Sequence, residues 1–172
     1  MEIRIERRDR ICLVGMEFYG NPFSTASAWD ADNEIGGLWS RFYNFLSASP
    51  SAILDRVDAG QTGYELHILS PETSKTGRYE VFVGVETLSV SRIPVVCCAK
   101  ILPPTKYAVV TAAGAEIESD WMADLYSKRI PELGYKADET YSFEFYDSRF
   151  KGMDRLDESE VDFYIPLLCQ EE

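Results

Sequence analysis

Tyr64-Glu-Leu-His-Ile-Leu69 and Tyr141-Ser-Phe-Glu-Phe-Tyr146 carry one pattern twice, at an offset of 77 (141 − 64). Both runs are rich in aromatic and branched side chains that alternate with polar ones, as β-strands do. A second pair, Glu80-Val-Phe-Val-Gly-Val85 and Asp162-Phe-Tyr-Ile-Pro-Leu167, repeats at an offset of 82 (162 − 80). The change in offset falls in a connecting loop, where insertions are tolerated.

The flanking segments repeat as well. Residues 10–19 read as a strand broken by Gly20-Asn21-Pro22. Ile35, Leu38, Trp39, Phe42, Phe45 and Leu46 recur at helical spacing and predict a helix over roughly 34–47, with Asn33 as N-cap and Ser49-Pro50-Ser51 at its end. Strands follow at 64–69 and 78–90, around a loop at 71–77. In the second half, 94–102 and 106–112 read as strands. Ser119-Asp120 cap a helix carrying Trp121, Met122, Leu125 and Tyr126 that stops near Pro131 or Gly134. Strands at 141–146 and 161–168 close the chain around an acidic loop at 151–160. The order strand–helix–strand–strand occurs twice. It predicts an α+β fold in which duplicated units form a pseudo-two-fold antiparallel sheet with two helices and a central groove. The expected extent is one domain over residues 1–172, with a first repeat at about 1–90 and a second at about 94–170.

Composition narrows the function. Of 172 residues, 45% are apolar, enough for a sizeable core. Aromatics reach 13%, a surplus that fills a core or lines a pocket. The chain has 29 acidic against 17 basic residues, a net charge of -12. That speaks against a nucleic-acid-binding face, which needs clustered Lys and Arg, and favours cationic ligands or simple solubility. No apolar run approaches the ~20 residues of a membrane span, and Met1 to Arg8 has no apolar signal region. Cys12, Cys97, Cys98 and Cys169 form no C-x-x-C pair and read as thiols of a reducing cytoplasm. The single histidine, His67, excludes a multi-histidine metal site. There is no P-loop, G-x-G-x-x-G, G-x-S-x-G or H-E-x-x-H, and no metal or cofactor is expected.

Strand alternation selects the candidate site. On 141–146, Tyr141, Phe143 and Phe145 share one apolar face, expected beneath a helix; Ser142, Glu144 and Tyr146 share the other. On 161–168, Val161, Phe163, Ile165 and Leu167 form an apolar face, expected beneath a helix, opposite Asp162, Tyr164 and Pro166. Pairing the polar faces places Glu144, Tyr146, Asp162 and Tyr164 on one patch, matched in the first half by His67, Leu69, Glu80 and Phe82. A carboxylate among rings suits a flat hydrophobic cation. Burial there raises a carboxyl pKa, which also suits acid–base hydrolysis beside a tyrosine. The same alternation fits the solvated face of an antiparallel sheet, and the spacing of Trp39 and Trp121 fits helix packing.

Arg78-Tyr-Glu-Val-Phe-Val-Gly-Val85, Ile93-Pro94, Leu102-Pro-Pro-Thr-Lys-Tyr-Ala-Val-Val110, Gly114, Trp121, Tyr141 to Asp147 and Asp162-Phe-Tyr-Ile-Pro166 come in an ordered series. This series resembles the GyrI-like small-molecule-binding domain, the effector-binding domain of AraC- and MerR-type transcription regulators. The resemblance implies a duplicated fold with a groove between the halves. It also implies a glutamate on the penultimate strand that contacts cationic aromatic ligands, here Glu144, with Tyr164 and Asp162 on the last strand. Regulators of this type carry a DNA-binding module before the domain, so this acidic chain looks like a stand-alone member. Some stand-alone members hydrolyse cyclopropane-bearing alkylating natural products, and others are named for gyrase inhibition. The expected function is binding of hydrophobic, cationic aromatic molecules, with Glu144 as the counter-charge and Tyr146, Asp162, Tyr164, Trp39, Trp121, Phe82 and His67 around the ligand. The alternatives are a hydrolase using Glu144 and Tyr164 or another nearby tyrosine, and an acidic module that meets a protein partner.

Overall fold

The computed structural model describes residues 1–24, 33–58 and 62–168; Cys169 lies outside them. Eight strands form a single sheet: β1 (Ile3–Arg8), β2 (Ile11–Gly20), β3 (Gly63–Ile68), β4 (Tyr79–Thr87), β5 (Cys98–Leu102), β6 (Thr105–Ala113), β7 (Tyr141–Tyr146) and β8 (Glu160–Pro166). Their spatial order is β1-β6-β8-β7-β3-β4-β2-β5, and every pairing is antiparallel. Each half of the sheet therefore has four strands, and the halves meet where β7 pairs with β3.

The register carries the duplication. Leu66 pairs with Phe143 at the seam, and these two residues are related by the same offset of 77 (143 − 66). Leu66 pairs with Phe82 as Phe143 pairs with Tyr164. A pseudo-two-fold thus passes through the Leu66–Phe143 pair and exchanges Glu65 with Ser142 and His67 with Glu144. The outermost strands are exchanged between the halves: β1 pairs with β6, and β5 pairs with β2. Sequence reading gave no strand at 3–8, and β5 is shorter than the expected 94–102 because a turn bonds Cys97 N–H to the Pro94 carbonyl.

Helix α1 (Glu34–Ala48) begins where expected. The Asn33 side chain accepts from the Ile35 and Gly36 N–H groups at 2.8 and 2.9 Å, an N-cap contributing ~1 kcal/mol. Ile35, Leu38 and Phe42 of α1 pack on Val14, Met16, Val81, Val83 and Val85. Residues 71–77, expected as loop, hold the single-turn helix α2 (Thr73–Thr76). The second half's helix runs through α3 (Met122–Asp124), a π-helical turn (Leu125–Arg129) and α4 (Ile130–Glu132). The wide π turn ends at Arg129, two residues before Pro131, whose missing N–H and bulky ring a regular helix would not accommodate. Leu125, Ile130 and Trp121 pack on Val161, Phe163 and Ile165, so the apolar face of β8 lies beneath a helix as expected. Both helices lie over the same face of the sheet, leaving β3 and β7 as the floor between them.

The opposite face buries Tyr64, Leu66, Phe82, Tyr107, Val109, Phe143 and Tyr164 in one aromatic cluster. Phe143 and Tyr164 stack with ring centroids 4.5 Å apart. Among the described residues, no helix is long and apolar enough to cross a membrane.

Candidate functional site

The floor of the interhelical groove follows from period-two alternation. Glu65 and His67 leave β3 on one face, and Glu144 and Tyr146 leave β7 on the same face, with Glu65 directly opposite Glu144 in the register. His67 Nε2 lies 2.8 Å from Glu65 Oε1. Trp39 reaches down from α1 and donates Nε1–H to Glu65 Oε2 at 2.6 Å. Tyr146 OH donates to Glu144 Oε2 at 2.5 Å. Gly63, at the start of β3, makes room for the Trp39 ring: a Cβ there would sit 2.8 Å from Trp39 Cη2.

Rings wall the groove. Trp39 stacks on Tyr43 at 5.3 Å and meets Tyr146 edge-on at 5.6 Å, and Tyr146 meets Phe150 edge-on at 4.9 Å. Trp121 meets Phe163 edge-on at 4.9 Å. A hollow of about 300 Å³ lies between Trp39, Tyr43, Glu65, Tyr146, Phe150 and Met153. A second, of about 170 Å³, shares Tyr146 and Met153 with it and adds His67, Trp121 and Glu144. A third, of about 300 Å³, shares His67, Met122 and Ser142 with the second and ends at Tyr79 and Tyr126. A larger hollow, about 730 Å³, lies elsewhere, by the start of α1; its charged walls, Glu34, Arg41 and Arg78, are exposed. It has no withdrawn charge for a ligand to meet.

Burial and the facing Glu65 push the Glu144 carboxyl up to about 7, against the pull of His67 and the Tyr146 hydroxyl. Burial alone would lower the His67 imidazole, but its hydrogen bond to Glu65 and the charges of Glu65 and Glu144 outweigh it and raise it. The Tyr146 hydroxyl is raised by burial and by both carboxylates, so it stays a donor.

The structure brings Glu144, Tyr146, His67, Trp39 and Trp121 to one groove. It separates the others. Tyr164 pairs with Phe143, and Asp162 with Phe145, so both project from the face opposite Glu144; the residue opposite Glu144 is Phe163. The expected common patch of Glu144 with Asp162 and Tyr164 is thus corrected: β8 lies one residue out of the assumed parity, which turns every side chain over. Packing of Phe163 under Trp121 fixes that parity. Asp162 instead accepts from Arg149 at 2.7 Å and Thr111 at 2.6 Å and pairs with Arg4 at 3.0 Å. Phe82, with 0% exposure, and Tyr164 belong to the aromatic cluster beneath the sheet. The Tyr141–Phe143–Phe145 face, also expected beneath a helix, is corrected likewise: it packs in that cluster, on the face away from α1 and the second half's helix.

Glu65 escaped the sequence reading. Its signal was present, since alternation in Glu65-Leu-His67 puts both polar residues on one face. The duplication offset relates Glu144 to His67, whereas the ladder sets it opposite Glu65.

Residues 1–168 match the model of the GyrI-like small molecule binding domain. The chain belongs to the GyrI-like family. Within that family, it is 29% identical over 170 residues to the transcriptional regulator BrlR of Pseudomonas aeruginosa, covering 97% of this chain but 56% of that relative. The chain therefore spans little more than half of the regulator's length. Among solved structures, SAV2435 bound to tetraphenylphosphonium superposes with a TM-score of 0.66 at 16% identity, covering 98% of this chain and 94% of that one. A hydrolase encoded by lin2189 from Listeria innocua superposes with a TM-score of 0.59 at 7% identity, covering 97% and 92%. At these identities the shared property is the GyrI-like fold.

Proposed function

We propose that the groove binds hydrophobic aromatic cations in the cytoplasm, sequestering or sensing them. The observation that carries this reading is the pair Glu65–Glu144, two carboxylates side by side on the floor of a ring-walled groove. Like charges directly opposite on a sheet are unfavourable, and a positive ligand relieves them. Trp39, Tyr43, Tyr146 and Phe150 offer ring faces and edges to a delocalised cation, a contact worth ~0.5–2 kcal/mol per well-placed ring. The relative of like fold solved with tetraphenylphosphonium supports the choice of ligand class. The test is titration with tetraphenylphosphonium, followed by Trp fluorescence and calorimetry, beside neutral triphenylphosphine oxide. Saturable binding of the cation, at least about tenfold tighter than the neutral analogue, is expected; equal affinities overturn the reading.

One observation favours a second reading. Glu144, with its carboxyl near 7 and its Oε2 held by Tyr146, has the chemistry of a general acid–base group. In that reading the partner tyrosine is Tyr146, since Tyr164 faces away. Ring-opened product from a cyclopropane-bearing alkylator, formed by wild type and not by Glu144→Gln, decides for it; stoichiometric binding without turnover decides against it.

A further inference from the structure

Glu65, His67 and Glu144 each offer one donor atom, and all three atoms lie within 4.8 Å of one another. The sheet, and no loop, sets this cluster: Glu65 and His67 are two apart on β3, and Glu144 is the ladder partner of Glu65. Each carboxylate is also held on its other side by a neutral donor. Trp39 Nε1–H binds Glu65 Oε2, leaving Oε1 toward His67, and Tyr146 OH binds Glu144 Oε2. Carboxylates that ligate metals are characteristically oriented by such outer hydrogen bonds. One histidine excludes a multi-histidine centre but not a mixed one.

We propose that Glu65, His67 and Glu144 form a binding site for one divalent first-row transition-metal ion. Two carboxylates and a neutral imidazole balance the charge of such an ion. The imidazole favours Mn²⁺, Co²⁺ or Zn²⁺ over Ca²⁺ and Mg²⁺, which take oxygen ligands in larger number. Three protein ligands leave coordination positions open, and the 170 Å³ hollow lined by His67 and Glu144 gives a further ligand access to them. The inference goes beyond the groove's proposed organic ligand and does not depend on it. Because both occupants draw on Glu65 and Glu144, they exclude each other.

The test uses the whole chain after treatment with chelator. Co²⁺ is titrated by visible absorption and Mn²⁺ by electron paramagnetic resonance. One equivalent of each is expected to bind, with cobalt d–d bands and no intense cobalt–thiolate transition. His67→Ala and Glu144→Gln are each expected to weaken binding at least about tenfold. Two variants guard against one failing to fold, as checked by circular dichroism. Absence of saturable binding of both ions overturns the proposal. So does His67→Ala binding Co²⁺ as tightly as wild type, which would put the ion on other donors such as Cys97 and Cys98. If metal fails and tetraphenylphosphonium still binds, only the metal site falls; if the organic cation alone fails, only the groove reading falls.

Discussion

Glu65 and Glu144 stand directly opposite each other on adjacent antiparallel strands, their side chains on the helix-covered face of the sheet. The fold thus holds Glu144 where loss of water and the facing Glu65 both act against its charged form.

Stability should therefore depend on pH through the groove. The Glu144 carboxyl, at about 7 in the fold, stands above its unfolded value, so the native state binds its proton more tightly. Stability falls as pH rises from the unfolded value through about 7. The raised His67 acts in the same direction: its contribution is full below the unfolded value of ~6.5 and is lost as pH rises through the folded one. With chelator present, the melting temperature of wild type should decline from pH 5 to pH 8, and the decline should be shallower in Glu144→Gln. Parallel profiles would remove Glu144 from this role.

Trp39 links α1 to the floor by a single N–H. Trp39→Phe keeps a ring but removes the donor that positions Glu65 Oε2, and tetraphenylphosphonium affinity should drop about three- to tenfold, ~0.7–1.4 kcal/mol. Gly63→Ala pushes on the same ring from below and should also lower affinity, with a change in Trp emission. Unaltered affinity in both variants would show that the ring's position does not matter.

Asp162 and Glu144 should behave as opposites. Asp162 is tied to Arg149, Thr111 and Arg4 on the far face, and these partners hold its carboxyl below the usual range despite burial. Its contribution is present above the unfolded value and fades as pH falls through the lowered one. Asp162→Asn should cost ~1–3 kcal/mol in chemical denaturation and leave ligand affinity within about twofold. An affinity loss matching that of Glu144→Gln would contradict the assignment of faces.

Phe82 separates core from groove in the same way. Its ring lies over the Gly15–Gly84 pair, where a Cβ on Gly84 would come within 2.6 Å of Phe82 Cζ and 2.7 Å of the Val14 carbonyl. Phe82→Ala should cost ~3–5 kcal/mol, and Gly84→Ala ~1–3 kcal/mol. Folded protein recovered from either variant should bind ligand with near wild-type affinity.

The succession of elements was legible in the chain because strand alternation and helical spacing are local signals. Ile35 to Leu46 read as a helix capped by Asn33, and α1 is that helix. The duplication was legible because the two halves keep nearly one offset; that β3 and β7 are the strands that meet was not, since pairing between halves is a long-range relation. The parity of β8 was not. Aromatics occur on both of its faces, Phe163 on one and Tyr164 on the other, and the long connection from Asp147 to Ser159 carries no tight-turn signal to fix the register. Strand β1 was hidden for another reason. Arg4, Glu6, Arg7 and Arg8 give it the charged character of an edge strand, which blunts pairing with foreign chains and masks the apolar alternation of Ile3 and Ile5.

The crossing over of β1 and β5 makes the two halves interdependent. A chain cut between Thr87 and Cys98 would yield an N-terminal piece whose first strand has no β6 to join, and a C-terminal piece whose first strand has no β2. Each fragment carries the border of the other's sheet, so they are built to reassemble as a complementing pair. The same interlacing is what two copies of a single ancestral half-chain would adopt on lending each other their leading segments, before fusion made the exchange intramolecular.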